Sequence, residues 1–309
     1  MNETIVVIGN PNEEMVSGVH GELARRGRPV ELVVSHDLPG TVRFGLELGR
    51  TIDGFFRLAD GRRLGFDSVK SVYQRAGFFA SETWDDYTPE ESAYANAATL
   101  SAINTVLDTM SALVVNRPMY SGSNASKPYQ LGLVEQHGFH VPATLVTNQP
   151  QAACEFYEQH GGNVIYKSIS YVRSIVRRMQ PEDLDRLDTL RNCPIQLQEC
   201  VDGCDIRVHV VGSHQLFAHF IEADESDYRY DKKAHIQAHA LPEPIRQQCF
   251  AVAKALGFVL AGIDLRITPE GLYYCFEVNP SPAFTWYEAR TGQPITGALC
   301  DVLEAADAT

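Results

Sequence analysis

The spacing of apolar positions divides this 309-residue chain into an ordered run of strands and helices. Residues 4–8, Thr-Ile-Val-Val-Ile, form a short β-branched run closed by Gly9, which predicts a buried strand. Asn12 stands where it can cap a helix that continues to Arg26 and stops at Gly27. Residues 30–34 supply the next strand, so the chain opens as a β-α-β unit of the doubly wound kind. Residues 55–66 fold back through Asp60-Gly61, a hairpin signal, and residues 71–75 read as another strand. Thr88-Pro89-Glu90-Glu91 joins a capping box to a proline at the first helical position, predicting a helix over 89–110. A short strand at 113–115 leads to Asn116-Arg117-Pro118, which closes a first α/β lobe, residues 1–118.

Ser126-Lys127-Pro128 opens the next helix and Gly138 ends it. A strand follows at 141–146, Asn148 is placed to cap a helix reaching Gln159, and Gly161-Gly162 breaks the chain. Residues 163–167 and 175–179 read as an antiparallel pair joined by the polar loop 168–174, with a helix over 181–190. Residues 119–194 thus make a small α+β lobe of a size suited to a mobile lid. The third lobe, 195–309, opens on a strand at 195–201 that Asp202-Gly203 turns into 205–211. Gly212-Ser213 turns again into 215–221, a polar stretch covers 222–233, and helices are expected over 242–256 and 296–306.

Between those helices lies the most informative stretch, residues 262–280. Two apolar runs flank Thr268-Pro269-Glu270-Gly271, where proline presets φ and glycine admits positive φ, so a β-hairpin is predicted. Pairing Thr268 with Tyr273 sets Asp264 opposite Glu277, and Glu277 and Asn279, two apart, share a strand face. Buried carboxylates are costly unless a cation or donor meets them. This hard-oxygen set suits Mg²⁺, whose shell nucleotide phosphates often complete. The alternative is a solvated hairpin edge with its acids in water.

Composition narrows the classes. Hydrophobic residues are 44% and charged residues 21% of the chain, as in a globular protein. No apolar run approaches the roughly 20 residues of a membrane span, and Met-Asn-Glu-Thr lacks the basic flank of a signal peptide, so a cytoplasmic protein without membrane contact is expected. A net charge of −13 argues against a nucleic-acid partner. The seven cysteines are scattered like reduced thiols, and Cys200 and Cys204 read as packing residues rather than half a zinc site.

Lys127 and Lys167 each sit where a regular element meets a turn, and Lys167 ends the apolar run Val164-Ile165-Tyr166 facing a cleft. The stretch 196–201, Gln-Leu-Gln-Glu-Cys-Val, runs from strand into a hinge whose backbone suits an adenine edge and whose acid suits ribose hydroxyls. Asp205 and Arg207 share a strand face, with a cross-strand ion pair worth under about 1 kcal/mol as the bland reading. His235 and His239 lack the acid of a zinc-protease helix, and Trp286 and Tyr287 suit a core as well as an acceptor pocket.

The order of these features resembles the ATP-grasp superfamily over nearly the whole chain. Within it the chain resembles ribosomal-protein glutamate ligases and, more closely, the ligases that cross-link microviridin-type peptides (graspetides). Carrying the likeness are Val72-Tyr73-Gln74-Arg75, Asn116-Arg117-Pro118, Ser126-Lys127-Pro128-Tyr129, Asp205-Ile206-Arg207, Asp227-Tyr228-Arg229, Glu277-Val278-Asn279-Pro280, Trp286-Tyr287-Glu288 and Gly292-Gln293-Pro294. The resemblance implies an ATP-grasp fold: a doubly wound N-terminal lobe and two α+β lobes clasping ATP. It implies that Lys127 and Lys167 hold phosphates, that Gln198, Glu199, Cys200 and Val201 frame adenine, and that Asp205 lies near the ribose. Asp264, Glu277 and Asn279 would bind two Mg²⁺ ions, Mn²⁺ being the alternative metal, while Arg207 and Arg229 face the reacting phosphoryl group and carboxylate. The implied reaction is ATP-dependent joining of a carboxylate to an amine or hydroxyl through an acylphosphate, on a peptide or protein substrate. A free amino acid or dipeptide as substrate, a non-catalytic ATP-binding regulator and a homodimeric assembly stay open. One departure is the loop 168–174, which lacks the glycines that many relatives carry over the phosphates.

Overall fold

A computed structural model describes residues 3–38, 40, 42–49, 52–75, 87–169, 176–222 and 235–306. The N-terminal lobe comprises β1 (Thr4–Gly9), α1 (Glu14–Arg25), β2 (Val30–Val34), β3 (Arg43–Leu48), β4 (Ile52–Arg57), β5 (Arg63–Gly65), β6 (Val69–Gln74), α2 (Pro89–Thr109) and β7 (Leu113–Val115). Its four-stranded sheet is parallel, in the order β2-β1-β6-β7. Both faces are covered, which explains the unbroken apolar run of β1. Val6, Ile8 and Val72 pack with Ile103, Val106 and Leu107 of α2, while Ile5, Val7 and Tyr73 face Val16, Val19 and Leu23 of α1. The antiparallel ribbon β3-β4-β5 lies on the α2 side, where Phe56 packs edge-on to Phe66.

Next come α3 (Lys127–Gln136), β8 (Thr144–Thr147), α4 (Pro150–Gln159), β9 (Val164–Ser168), β10 (Arg177–Arg178) and β11 (Ile195–Glu199). They build an antiparallel sheet ordered β10-β9-β11-β8. One face buries Leu197 and Val164 against Ala153 of α4 and Leu187 and Leu190 of a 3₁₀ segment, Pro181–Asn192. The opposite face carries Lys167, Gln196 and Gln198.

The last sheet is antiparallel, ordered β14-β13-β12-β15-β16, from β12 (Cys204–Val211), β13 (Gln215–Glu222), β14 (His235–His239), β15 (Leu260–Ile267) and β16 (Tyr273–Asn279). Between β14 and β15, α5 (Glu243–Ala255) covers one face through Cys249, Val252 and Ala253, against Val208, Val210 and Ile263. Two helices close the chain, α6 (Thr285–Thr291) and α7 (Ile295–Ala305), and α7 returns to the first lobe through Leu299 and Leu303. Arg26 fastens that return, binding Asp301 at 2.7 Å and Glu304 at 2.9 Å.

Several local expectations are corrected. β11 pairs with both β8 and β9, so it completes the small-lobe sheet rather than opening the third lobe at residue 195. Without it β8 and β9 would have no strand between them. Asn12 does not cap α1: the Asn10 side chain accepts the Asn12 N–H at 2.9 Å, an Asx turn that delays the helix to Glu14. Asn148 likewise yields to Gln149 as the residue preceding α4. His235 and His239 lie on β14, an added edge strand, not one helical turn apart. The segment expected as a helix at 181–190 is 3₁₀. β3 and α6, which no pattern singled out, are additional elements. Among the described residues no helix is long and apolar enough to cross a membrane.

Asn116 stitches the lobes together. It is 3% exposed, donates to the carbonyls of Leu260 and Pro280 at 2.6 Å each, and accepts the Val259 N–H at 2.7 Å. Asn116→Ala leaves several buried backbone groups unpaired and is expected to destabilise the fold by about 3 kcal/mol. The urea midpoint measures this; an unchanged midpoint would show that water replaces the bonds.

Candidate active site

Site geometry begins at the β15–β16 hairpin. Ile267 pairs with Tyr273 and Leu265 with Cys275, one residue out of step with the register read from the turn. A shift between Asp264 and Leu265 then restores the pairing of Asp264 with Glu277. This bulge leaves Tyr273, Cys275 and Val278 in the core while Glu277 and Asn279 are only partly buried. Gln130 of α3 fixes the strand, donating to the Val278 carbonyl at 2.8 Å and accepting its N–H at 2.9 Å.

Arg207, opposite Asp264 on β12, donates to its Oδ1 at 2.6 Å, and its side chain is 8% exposed. A Cβ on Gly262 would fall 2.2 Å from Arg207 Nη2, so glycine is what lets the guanidinium lie against β15. The next rung repeats the arrangement, with Asp205 Oδ1 bound by Arg266 Nη2 at 2.7 Å. Arg266 also donates to the Val201 carbonyl at 2.9 Å, tying hinge to sheet.

From the small lobe, Lys127 at the start of α3 reaches Glu277 Oε2 at 3.0 Å. Lys167 is 8% exposed and donates to Gln198 Oε1 at 3.2 Å. Burial first, then the charge of Lys127, lowers its pKa to about 8, with Glu277 pulling the other way. Lys127, Lys167 and Glu277 therefore share one electrostatic neighbourhood although they come from two sheets and a helix. At the hinge, Glu199 donates its N–H to the Ala143 carbonyl at 2.9 Å and Cys200 to that of Asn163 at 2.8 Å.

A cleft of about 740 Å³ opens between α3 and the small-lobe sheet, lined by Lys127, Leu131, Val146, Ile169, Gln196 and Glu199 among others. That is ample for a nucleotide-sized ligand. The structure thus gathers Lys127, Lys167, Gln198, Arg207, Asp264 and Glu277, with Asn279 beside them, its Oδ1 accepting the Ser281 N–H at 2.8 Å. Asp205 is set apart in its pair with Arg266, and Arg229 lies outside the described residues, as do residues 170–174 of the loop. Asp264 and Glu277 each hold a cation's charge here, and with the Asn279 amide they form a hard-oxygen set that fits Mg²⁺. Among the described residues no cluster of three His, Cys, Asp or Glu side chains offers a different metal centre.

Three buried features were given no role by the sequence reading. Arg75 binds Glu13 at 2.7 Å and donates to Ser281 Oγ at 3.0 Å, anchoring the segment after β16. His209 and His219 face each other at 3.2 Å beneath Tyr287, both held neutral by burial and then by Arg207. The His209 Nε2 N–H donates to the Ala283 carbonyl at 3.1 Å. Gln196 is 1% exposed and its Nε2 has no partner among the described residues. Arg75 and Gln196 had a sequence signal without a role, the first in the Val72–Arg75 segment and the second in the 196–201 stretch, whereas the histidine pair had none.

Comparison with known proteins adds to this geometry. Residues 124–303 match the family model described as a RimK-like ATP-grasp domain. A probable alpha-L-glutamate ligase of Pseudoalteromonas translucida is 27% identical over 210 residues, covering 64% of this chain and 69% of that one. The macrocyclase MdnC of Microcystis aeruginosa, solved with precursor peptide MdnA, superposes with a TM-score of 0.86 at 23% identity, over 97% and 99% of the two chains. The ATP-grasp ligase PsnB, solved with a minimal precursor, Mg and ADP, gives a TM-score of 0.80 at 29% identity, over 98% and 96%.

Proposed function

The chain belongs to the RimK-like ATP-grasp family, and from that premise we propose that it is an ATP-dependent ligase that couples a carboxylate to an amine or hydroxyl of a peptide or protein. The observation that carries this is the meeting of Lys127 and Lys167 with Glu277 across the two lobes. PsnB, also solved with precursor peptide PsnA2, supports a peptide substrate, and the Mg and ADP of PsnB support Mg²⁺–ATP as co-substrate.

In this reading a carboxylate oxygen attacks the γ-phosphorus in line and the bond to the β,γ-bridging oxygen breaks, releasing ADP. The nucleophile then adds to the acyl carbon of the acylphosphate, loses a proton and expels phosphate. Phosphoryl transfer asks the protein chiefly for alignment and positive charge. Lys127 and Lys167 hold phosphate oxygens, and Arg207 meets charge that develops on the transferred group. Gln198 fixes the Lys167 ammonium, and Glu199, Cys200 and Val201 frame the base, with Asp205 toward the ribose. Asp264, Glu277 and Asn279 would hold Mg²⁺, which when bound supplies further neutralisation of the phosphates. Arg229 is assigned to the acylphosphate on sequence resemblance. The lobes proposed from sequence, 1–118, 119–194 and 195–309, keep these roles once β11 joins the second.

The direct test is product analysis: turnover of ATP with a carboxylate peptide is expected to release ADP and phosphate, and AMP with pyrophosphate would overturn the reading. Lys167 offers a second. Bound phosphates favour its charged form, so its pKa rises on binding, protons are taken up near pH 8, and ATP affinity falls as pH climbs above about 8. Calorimetric titration in buffers of differing ionisation enthalpy measures that uptake. Lys167→Ala should remove it and weaken ATP binding by about tenfold or more.

A further inference from the structure

Gln196 stands out because a buried amide N–H₂ is rarely left without an acceptor. It is the cross-strand partner of Lys167, and both side chains stand on the cleft face of the small-lobe sheet. Such partners have Cβ atoms roughly 5 Å apart, so a group that meets the Lys167 ammonium lies within reach of the Gln196 amide. Lys127 faces the same cleft from α3. Gln198, one pleat along, has its amide engaged on both sides, accepting from Lys167 and donating to Thr144 Oγ1 at 3.0 Å. Among the described residues the Gln196 Nε2 has no acceptor. An apolar residue there would have continued the cleft wall of Leu131, Val146 and Ile169 without an orphaned donor.

Resting on the nucleotide site proposed above, we infer that Gln196 is a phosphate-binding residue, donating Nε2–H to a non-bridging oxygen of the ATP triphosphate between Lys127 and Lys167. The chemistry is specific. A neutral donor adds a directed hydrogen bond to an anion without adding a third cation next to Lys167, whose charge burial and Lys127 already oppose. It also separates this role from base recognition, because an amide on the triphosphate is indifferent to the purine.

Calorimetric titration of ATP, ADP and adenosine against the full chain and Gln196→Met tests this. Methionine keeps the volume and removes the donor, and Gln196→Leu serves if the first variant melts early. The expected result is an ATP affinity about tenfold weaker, with adenosine affinity unchanged. Gln196→Glu, which presents a carboxylate to the phosphates, should weaken ATP by about a hundredfold or more. Equal loss for ATP and adenosine would overturn the assignment in favour of a base contact, and unchanged ATP affinity in both variants would overturn it outright. Lys167→Ala in the same series separates the two levels. If that variant weakens ATP while Gln196→Met does not, the nucleotide site stands and only the glutamine falls. If the parent binds no ATP, both readings fall.

Discussion

Glu277→Gln is expected to abolish ligation, with at least a thousandfold loss of turnover, while the protein stays folded. Glutamine keeps the shape and one amide oxygen but removes the charge that a divalent ion demands of its ligand. A thousandfold corresponds to about 4 kcal/mol of lost transition-state stabilisation, reasonable for a carboxylate lost from a site whose other expected ligands are Asp264 and Asn279. The fold should survive because the side chain is 25% exposed and its partner Lys127 is 20% exposed, so their pair adds little to stability. The β16 backbone is held independently, by Gln130 on Val278 and by the ladder to β15. Phosphate release and thermal melting, read together, decide the matter. Wild-type melting with no turnover is the expected pair; early melting would make Glu277 a structural acid, and normal turnover would remove it from the site.

The hairpin shows how far a sequence carries such reasoning. Thr268-Pro269-Glu270-Gly271 announces the turn, and apolar alternation announces both strands. The turn read one residue off register, yet Asp264 still meets Glu277 because the bulge before Glu277 takes up the difference. The bulge shifts the core positions from Tyr273 and Cys275 to Val278, but residues 272–276 are apolar at every position, so the spacing does not show the change of phase. β11 was legible as a strand but not as a member of the small sheet, because pairing partners are set by tertiary contacts and chain order suggests only neighbours. Lys167 was found by ending an apolar run. The stretch 196–201 was singled out but the role of Gln196 was not, nor was the His209–His219 pair, since their meaning lies in burial and in hydrogen bonds made or left unmade. Asp205–Arg266 and Arg207–Asp264 formed as the cross-strand pairs that two-residue spacing permits. What raises Arg207 above an ordinary ion pair is its setting.

That setting makes Arg207→Lys the other large effect. The side chain is 8% exposed, and its guanidinium donates to Asp264 at 2.6 Å and lies against Gly262, next to the strand that carries Glu277 and Asn279. Its planar fork presents several donors at fixed angles, so it can hold Asp264 with one nitrogen and direct another toward a phosphoryl oxygen. A lysine ammonium is a point charge on a stem that must choose between those two tasks. Fixed donors aimed at developing charge are worth about 2.7–4 kcal/mol when removed from a water-poor site. Arg207→Lys is therefore expected to bind ATP within about threefold of the parent yet to lose at least about a hundredfold in ligation rate. The conserved charge keeps Asp264 compensated, so melting should move little, whereas Arg207→Met would strand that carboxylate and melt lower. Single-turnover measurement of phosphate release separates the rate from nucleotide affinity. Parent-like turnover in the lysine variant would return Arg207 to the role of a cross-strand brace for Asp264.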